Sequence, residues 1–288
     1  MTQIILRDAL YTPFAADTTQ ADIATAIVQM RTVLRTHTEA IGTRGQHSYL
    51  DAGHHYVCST MMDSVFSAAA MSTYDLLDNA VPHSFTHAYE CACWGYCLRY
   101  HMQFKPSQRW LVISILDVNA MAMAYWTQNE QWGKSGFGIT TLCFELVAAT
   151  DAVDGLEPTL PVASPAVSVP MQTGMASGGN NIISFASMAK QATRDLQCQR
   201  LSLPFFPDSM SIPVRRSLKD LHVLTERHAH YGHAFGSDPW LAFICDQQHS
   251  DLGTAPIVFG SLALRGYYCF ADITPAQPIN TQHFPLVC

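Results

Sequence analysis

The chain has 288 residues, of which 48% are hydrophobic and 14% are charged, and its formal net charge at pH 7 is −7. This composition is typical of a globular protein with a large core and excludes an intrinsically disordered chain. The negative charge, with no basic run longer than Arg215-Arg216, argues against nucleic acid or an anionic membrane surface as a partner.

The cysteines and the N-terminal segment indicate a cellular compartment. Nine cysteines form an odd set without the spacing of a disulfide framework, which predicts free thiols in a reducing environment. The sequence begins with a mixed, strand-like segment, so we expect no signal peptide. No apolar run reaches the roughly 18 residues of a membrane-spanning helix. We therefore predict a cytoplasmic protein without a transmembrane segment.

Strand and helix patterns alternate along residues 1–150, which we predict to form an N-terminal half. Apolar runs predict strands over residues 4–10, 55–61, 84–89, 109–116 and 136–147. Helical spacing of apolar residues predicts helices over residues 21–41, 63–77 and 94–104. Gly42 is placed to end the first helix.

The composition changes after residue 150. Residues 151–180 are rich in Pro, Gly, Ser and Ala, which predicts a connection, with an extended strand around residues 165–171. Residues 181–288 form a predicted C-terminal half, with helices over 180–196, 212–221 and 239–248 and strands over 201–206, 257–262 and 267–273. The alternation predicts an α/β protein with mostly parallel sheets.

A cysteine-rich segment lies where a predicted strand meets a predicted helix. Cys93 falls between the strand over 84–89 and the helix over 94–104. At such an elbow, free backbone N–H groups and the positive end of the helix dipole favour a thiolate. The alternative is that Cys91, Cys93 and Cys97 are small core residues, because free cysteine is commonly buried.

The segment 92–96, Ala-Cys-Trp-Gly-Tyr, resembles the nucleophile elbow of thiolase-fold condensing enzymes of the β-ketoacyl-ACP synthase III type. In that family the cysteine carries the acyl group. Segments 134–141, 231–243 and 257–261 are similar to further family segments in the same order. The resemblance implies a thiolase-like layered α/β/α/β/α fold built from two similar halves, which works as a dimer.

Two positions differ from the family pattern. Asp208 stands where the family has its catalytic His, and His233 stands where the family has its Asn. The resemblance therefore implies an altered triad, with Cys93 as nucleophile, His233 as base and Asp208 orienting that base. Backbone N–H groups of Cys93 and of Gly260 or Ser261 would form the oxyanion hole.

The resemblance also implies a reaction. We expect an acyltransferase or condensing enzyme that accepts an acyl group from the phosphopantetheine of an acyl carrier protein or from CoA, in a specialised polyketide or fatty-acid-like pathway. An ionised Asp208 beside a developing enolate charge disfavours malonyl-driven chain extension. The alternative is a catalytically degenerate subunit, similar to a chain-length factor, paired with an active homologue. Either a homodimer or a heterodimer fits.

Two further groups of residues have side chains that suit other kinds of site. His228, His230 and His233 near Glu226 could bind zinc or iron, but histidines on a loop need not converge, and we expect no metal and no redox cofactor. An aromatic and methionine-rich segment, residues 121–126, is expected to line an apolar pocket.

Overall fold

A computed structural model gives the fold of the chain. It describes residues 2–14, 23–43, 47–60, 76–77, 80–119, 127–130, 132–148, 171–175, 181–249 and 253–285. The predicted helix over 63–77 lies almost wholly outside these residues, and the predicted pocket segment 121–126 lies wholly outside them.

Residues 2–148 contribute seven strands and two helices to the part of the chain that the structure describes. The strands are β1 (Thr2–Phe14), β2 (His54–Ser59), β3 (His83–Thr86), β4 (Trp110–Asp117), β5 (Gln128–Asn129), β6 (Gly133–Lys134) and β7 (Phe137–Ala148). The helices are α1 (Ile23–Ala40) and α2 (Cys93–Phe104). A short 3-10 helix, Glu90–Ala92, leads directly into α2.

The rest of the described chain adds five strands and four helices. The strands are β8 (Met171–Met175), β9 (Arg200–Ser202), β10 (His222–Val223), β11 (Ile257–Leu262) and β12 (Tyr267–His283). The helices are α3 (Asn181–Asp195), α4 (Asp208–Ser217), α5 (His228–Tyr231) and α6 (Asp238–His249). The 3-10 helix Phe235–Ser237 precedes α6.

Ten strands are hydrogen-bonded in the order β10-β9-β11-β12-β1-β7-β4-β2-β3, with β8 pairing with β12 off this path. The long strand β12 joins two groups of strands. Its first part is antiparallel to β11 and β8, whereas its later part is parallel to β1. Among the described strands, five pairs of this sheet are parallel and four, such as β1 with β7 and β4 with β7, are antiparallel, so parallel pairing has only a small majority where the sequence predicts a mostly parallel arrangement.

Two helices occupy the space between the two groups of strands. The central core cluster contains Trp94 and Leu98 of α2 and Trp240 and Phe243 of α6, packed against residues of both groups of strands. These side chains are completely buried because both faces of each helix meet a sheet. A helix with apolar residues around its circumference is expected in such a layer.

The remaining long helices cover the outer faces. Apolar residues of α1, including Ile27 and Leu34, pack on the N-terminal strands, and Phe185 of α3 and Val214 of α4 pack on the C-terminal strands. The result is an α/β/α/β/α arrangement. Among the described residues, no helix is long and apolar enough to cross a membrane.

Candidate functional site

The sequence predicts the elbow at Cys93, whereas in the structure the sharp turn before α2 lies a few residues earlier in the chain. Tyr89 and Glu90 have positive φ angles of 70° and 47°, a region that non-glycine residues rarely occupy. A nucleophile elbow is a sharp, strained turn from strand to helix, and these two residues form that turn here. Cys93 follows the 3-10 turn and is the first residue of α2. Its backbone N–H donates to the carbonyl oxygen of Glu90, so it is not free for an oxyanion.

Cys93 is sealed inside the protein. Its exposed fraction is 0%, and it belongs to the central core between the sheets. Burial raises the pKa of its thiol, while a hydrogen bond with Cys58 and the backbone of Trp94 act in the opposite direction. Desolvation at this depth thus acts against the thiolate that the helix N-terminus is predicted to favour at Cys93.

His233 is oriented by a carboxylate. Its Nδ1 lies 2.6 Å from Oδ2 of Asp238, and the two side chains are 14% and 7% exposed. Asp238 Oδ1 accepts the backbone N–H of Ala234 at 2.7 Å, and Oδ2 accepts that of Phe205 at 3.2 Å. With Nδ1–H donating to Asp238, Nε2 carries the lone pair that a general base needs.

The predicted partner of His233 was a different carboxylate. Asp208 is the first residue of α4, and its side chain lies outside the part of the chain that the structure describes. Its assignment as the orienting residue stays a prediction, but the carboxylate at His233 Nδ1 is that of Asp238. Sequence reasoning missed this role because an Asp before Pro239 indicates a helix start. The short distance of five positions from His233 was the available signal.

Three aromatic rings surround the imidazole. The ring of His233 lies 4.6 Å from that of Phe235, 5.5 Å from that of Trp132 and 6.1 Å from that of Phe205. Cys91 packs in the hydrophobic cluster that contains these same three rings. Cys91, two residues before Cys93, is therefore the elbow cysteine that shares an apolar environment with His233.

Electrostatics also connect Cys91 with this pair. Burial raises the pKa of the Cys91 thiol, and the carboxylates of Asp117, Glu90 and Asp238 raise it further. The 3-10 helix holding Cys91 packs on the one just after His233, since a Cβ built on Gly236 would lie 3.5 Å from the Cys91 carbonyl oxygen. A neutral thiol at this place needs a base to become a nucleophile.

A second buried carboxylate organises the same region. Asp117, at the end of β4, accepts the backbone N–H groups of Gly236 at 3.2 Å and Ser237 at 3.0 Å, and the hydroxyl of Thr60. Burial raises its pKa to about 7, against the opposing effect of these hydrogen bonds. Asp117 thus fixes the 3-10 helix that lies between His233 and Asp238.

The predicted oxyanion-hole residues lie within a strand. Gly260 and Ser261 are inside β11, opposite Phe270 and Cys269 of β12, rather than in a glycine turn. Ser261 is completely buried, and its Oγ accepts the indole N–H of Trp94 at 2.8 Å. The Ser261 side chain therefore joins helix α2 to the C-terminal strands. Their assignment to an oxyanion hole stays a prediction that this placement does not favour.

The turn after β11 contacts the elbow through a different residue. The backbone N–H of Arg265 donates to Glu90 Oε2 at 3.2 Å, and its Nε lies 3.5 Å from Glu90 Oε1. Glu90, one of the two residues of the strained elbow, thus has its carboxylate held by Arg265.

The histidine cluster does not form a metal site in the described residues. His228 Nε2 donates to the carbonyl oxygen of Trp132 at 3.1 Å, and its ring stacks on Phe205 at 3.4 Å. The ring of His230 packs edge-on against Tyr231. His233 points to Asp238, so the three imidazoles have separate partners.

The architecture matches solved structures of condensing enzymes. A 3-oxoacyl-(acyl carrier protein) synthase from Burkholderia xenovorans LB400 superposes with a TM-score of 0.59 at 7% identity, covering 99% of this chain and 98% of that chain. 3-Oxoacyl-(acyl carrier protein) synthase III from Pseudomonas aeruginosa PAO1 gives 0.57 at 8% identity, with 94% and 98% covered. An acyltransferase gives 0.59 at 7% identity, with 94% and 97% covered.

These likenesses establish the fold. The chain has the thiolase fold of synthase III-type condensing enzymes, as the resemblance implied. No protein-family model and no curated protein sequence matches it. The division at residues 150 and 180 stays a prediction.

Proposed function

We propose that this protein is a thioester-dependent acyltransferase or condensing enzyme, in which a cysteine at the elbow leading into α2 accepts an acyl group. The donor would be an acyl group on the phosphopantetheine of an acyl carrier protein or on CoA. The observation that carries the proposal is the His233–Asp238 pair, 2.6 Å apart, beside the elbow. It supplies the base that a buried thiol requires.

Cys91 suits the acceptor role better than Cys93. Cys91 is 9% exposed and belongs to the same hydrophobic cluster as the rings that surround His233, whereas Cys93 is 0% exposed and hydrogen-bonds with Cys58. In the proposed step, His233 Nε2 takes the Cys91 proton and the sulfur attacks the thioester carbonyl. The donor thiol then leaves and takes the proton back from His233. Cys93 remains the alternative acceptor.

Intact-mass spectrometry tests this proposal. The full-length protein is mixed with a panel of acyl-CoA and acyl carrier protein thioesters, and the adduct is located by peptide mapping. We expect a mass gain equal to one acyl group on Cys91, lost in Cys91→Ala and retained in Cys198→Ser, which changes a buried thiol of the C-terminal half. An adduct on Cys93 would support the proposed function but make Cys93, instead of Cys91, the acceptor of the acyl group. No adduct with any donor would contradict the function.

A second candidate is a subunit that forms no acyl adduct and shapes the pocket of an active homologue. It is favoured by Glu90, which occupies the strained elbow and is held by Arg265. Strand β3 ends the described sheet at one side, and a groove of about 380 Å³ beside it is lined by aromatic residues including Tyr89 and Tyr96. Co-purification with a homologue that has the family's Cys-His-Asn set would support this role.

A further inference from the structure

Three side chains with metal-binding atoms meet at an irregularity of the longest strand pair. The ladder between β1 and β7 changes register between Leu6 and Asp8, and Asp8 then lies directly opposite Cys143. Both residues are buried, with exposed fractions of 0% and 2%. A β-bulge redirects a side chain at a specific point of a sheet, here placing a carboxylate beside a thiol.

His47 completes the group. It follows α1 in the chain, and its ring stacks on Trp110 with centroids 4.8 Å apart and an angle of 14° between planes. Its Nε2 lies 2.6 Å from Asp8 Oδ2. Asp8 oxygen, His47 nitrogen and Cys143 sulfur all lie within 4.8 Å of one another, the one such group among the described residues.

The remaining oxygen of Asp8 is held in place by the surrounding chain. Oδ1 accepts the backbone N–H of Gly42 at 2.9 Å and the side-chain N–H of Asn280 at 2.7 Å. Carboxylates that bind metals are typically fixed by such outer hydrogen bonds. Oδ2 is thereby aimed at His47.

We propose that Asp8, His47 and Cys143 form a binding site for a zinc-type divalent cation. Oxygen, imidazole nitrogen and thiolate sulfur are the three donor types that zinc accepts. A carboxylate and a thiolate balance the two positive charges, so the occupied site is neutral, as a buried site requires. His47 is 8% exposed, which leaves a path for a water as fourth ligand.

Binding requires a small movement of His47. Two ligand atoms that each lie about 2.0 Å from a tetrahedral ion are about 3.3 Å apart. The distance between His47 Nε2 and Asp8 Oδ2, now 2.6 Å, must therefore increase slightly. The ring can withdraw along Trp110 because it comes from a connecting segment rather than from the sheet. The ion would then join β1, β7 and the segment after α1.

The site is separate from the candidate acyl site. Cys143 packs with Leu10, Ile41 and Val112 in a cluster on the outer face of the N-terminal strands, whereas α2 lies on their inner face. The ion would consequently act on stability, since anything that binds only the folded state raises its free energy of unfolding. This inference does not depend on the proposed acyl transfer.

Cobalt(II) titration of the full-length, chelator-treated protein tests the site. We expect one equivalent to bind with a thiolate-to-cobalt charge-transfer band in the near ultraviolet and intense visible bands of a tetrahedral ion, both displaced by zinc. Cys143→Ser and His47→Gln should abolish these bands. Cys198→Ser, at a distant buried thiol, should keep them.

Thermal unfolding with and without zinc provides an independent readout. Zinc should raise the Tm of the wild type and of Cys198→Ser but not that of His47→Gln. His47 is the most exposed of the three proposed ligands. The proposal is overturned if no cobalt band develops, or if the band survives in Cys143→Ser. Equal Tm values of the wild type with and without zinc would also overturn it. Asp8, His47 and Cys143 would then form only a structural cluster without a metal.

Discussion

Asp238 Oδ2 lies 2.6 Å from Nδ1 of His233. The same carboxylate accepts the backbone N–H groups of Ala234 and Phe205. One side chain therefore fixes the imidazole, the turn that follows it and the segment after β9. Because the carboxylate is held from three directions, the imidazole has little freedom to rotate, which is the condition for a positioned base.

The first prediction concerns this pair. Asp238→Asn should lower the rate of acylation about 100-fold or more, because an amide can neither stabilise the imidazolium nor fix the productive tautomer. The measurement is the rate of adduct formation by quenched intact-mass spectrometry at pH 7. Asp195→Asn, an exposed carboxylate of α3, is the matched control and should leave the rate unchanged. Full activity of Asp238→Asn would exclude Asp238 as the residue that orients the base.

The second prediction separates packing from chemistry at Ser261. Ser261→Ala leaves the buried indole N–H of Trp94 without its acceptor, which should lower the free energy of unfolding by about 1–3 kcal/mol. The acylation rate per folded molecule should not change, since the hydroxyl bridges α2 and β11. Denaturant unfolding and the mass assay measure the two effects.

A double change provides the control for this assignment. Trp94→Phe removes the donor, so adding Ser261→Ala to it should cost less than Ser261→Ala costs alone. A large fall in acylation rate for Ser261→Ala, with normal stability, would instead give the Ser261 hydroxyl a role in the reaction.

The third prediction concerns pH. Burial raises the pKa of Asp117 to about 7, above its ordinary value of 3.8. Between these values the folded protein holds a proton that the unfolded chain releases, so stability falls as pH rises from about 4 to about 7. The difference between the two pKa values corresponds to about 4 kcal/mol. Below about pH 4 the Asp117 carboxyl is neutral in both the folded and the unfolded state, so its burial no longer lowers the free energy of unfolding.

Asp117→Asn should remove this part of the pH dependence. The measurement is the free energy of unfolding at pH 4 and pH 8 for the wild type and the variant. The loss between the two pH values should be smaller in the variant, because other titrating groups contribute equally to both proteins. Asp195→Asn should retain the wild-type loss. Equal losses in Asp117→Asn and the wild type would show that Asp117 ionises normally.

The fourth prediction tests the close packing beside His233. A Cβ at Gly236 would lie 2.5 Å from Thr60 Cγ2 and 2.9 Å from Ile115 Cγ2. Gly236→Ala should therefore lower the free energy of unfolding by about 1–3 kcal/mol. Thr60→Ser removes the nearer methyl group and keeps the hydroxyl bonded to Asp117, so it should partly rescue Gly236→Ala. The absence of rescue in a double-mutant cycle would refute this contact as the cause.

Local patterns in the sequence determined most of the elements. The apolar runs of β4 and β11 and the helical spacing of α1, α3 and α6 predicted these elements to within a few residues. Strand β12 was predicted too short, because its later part is stabilised by pairing with β1, which is remote in sequence. The motif around Cys93 also indicated the layered fold that the solved structures share.

The site depended on tertiary structure. The sequence alone determined that cysteines stand at a strand-to-helix junction and that His233 follows Gly232. It could not determine that Cys93 is sealed in the core, that Cys91 belongs to the hydrophobic cluster of the rings around His233, or that Asp238 lies at the imidazole Nδ1. Burial, backbone strain and hydrogen-bond partners arise where distant segments meet, so only the packed chain decides which thiols are sealed in the core and which carboxylate lies at His233.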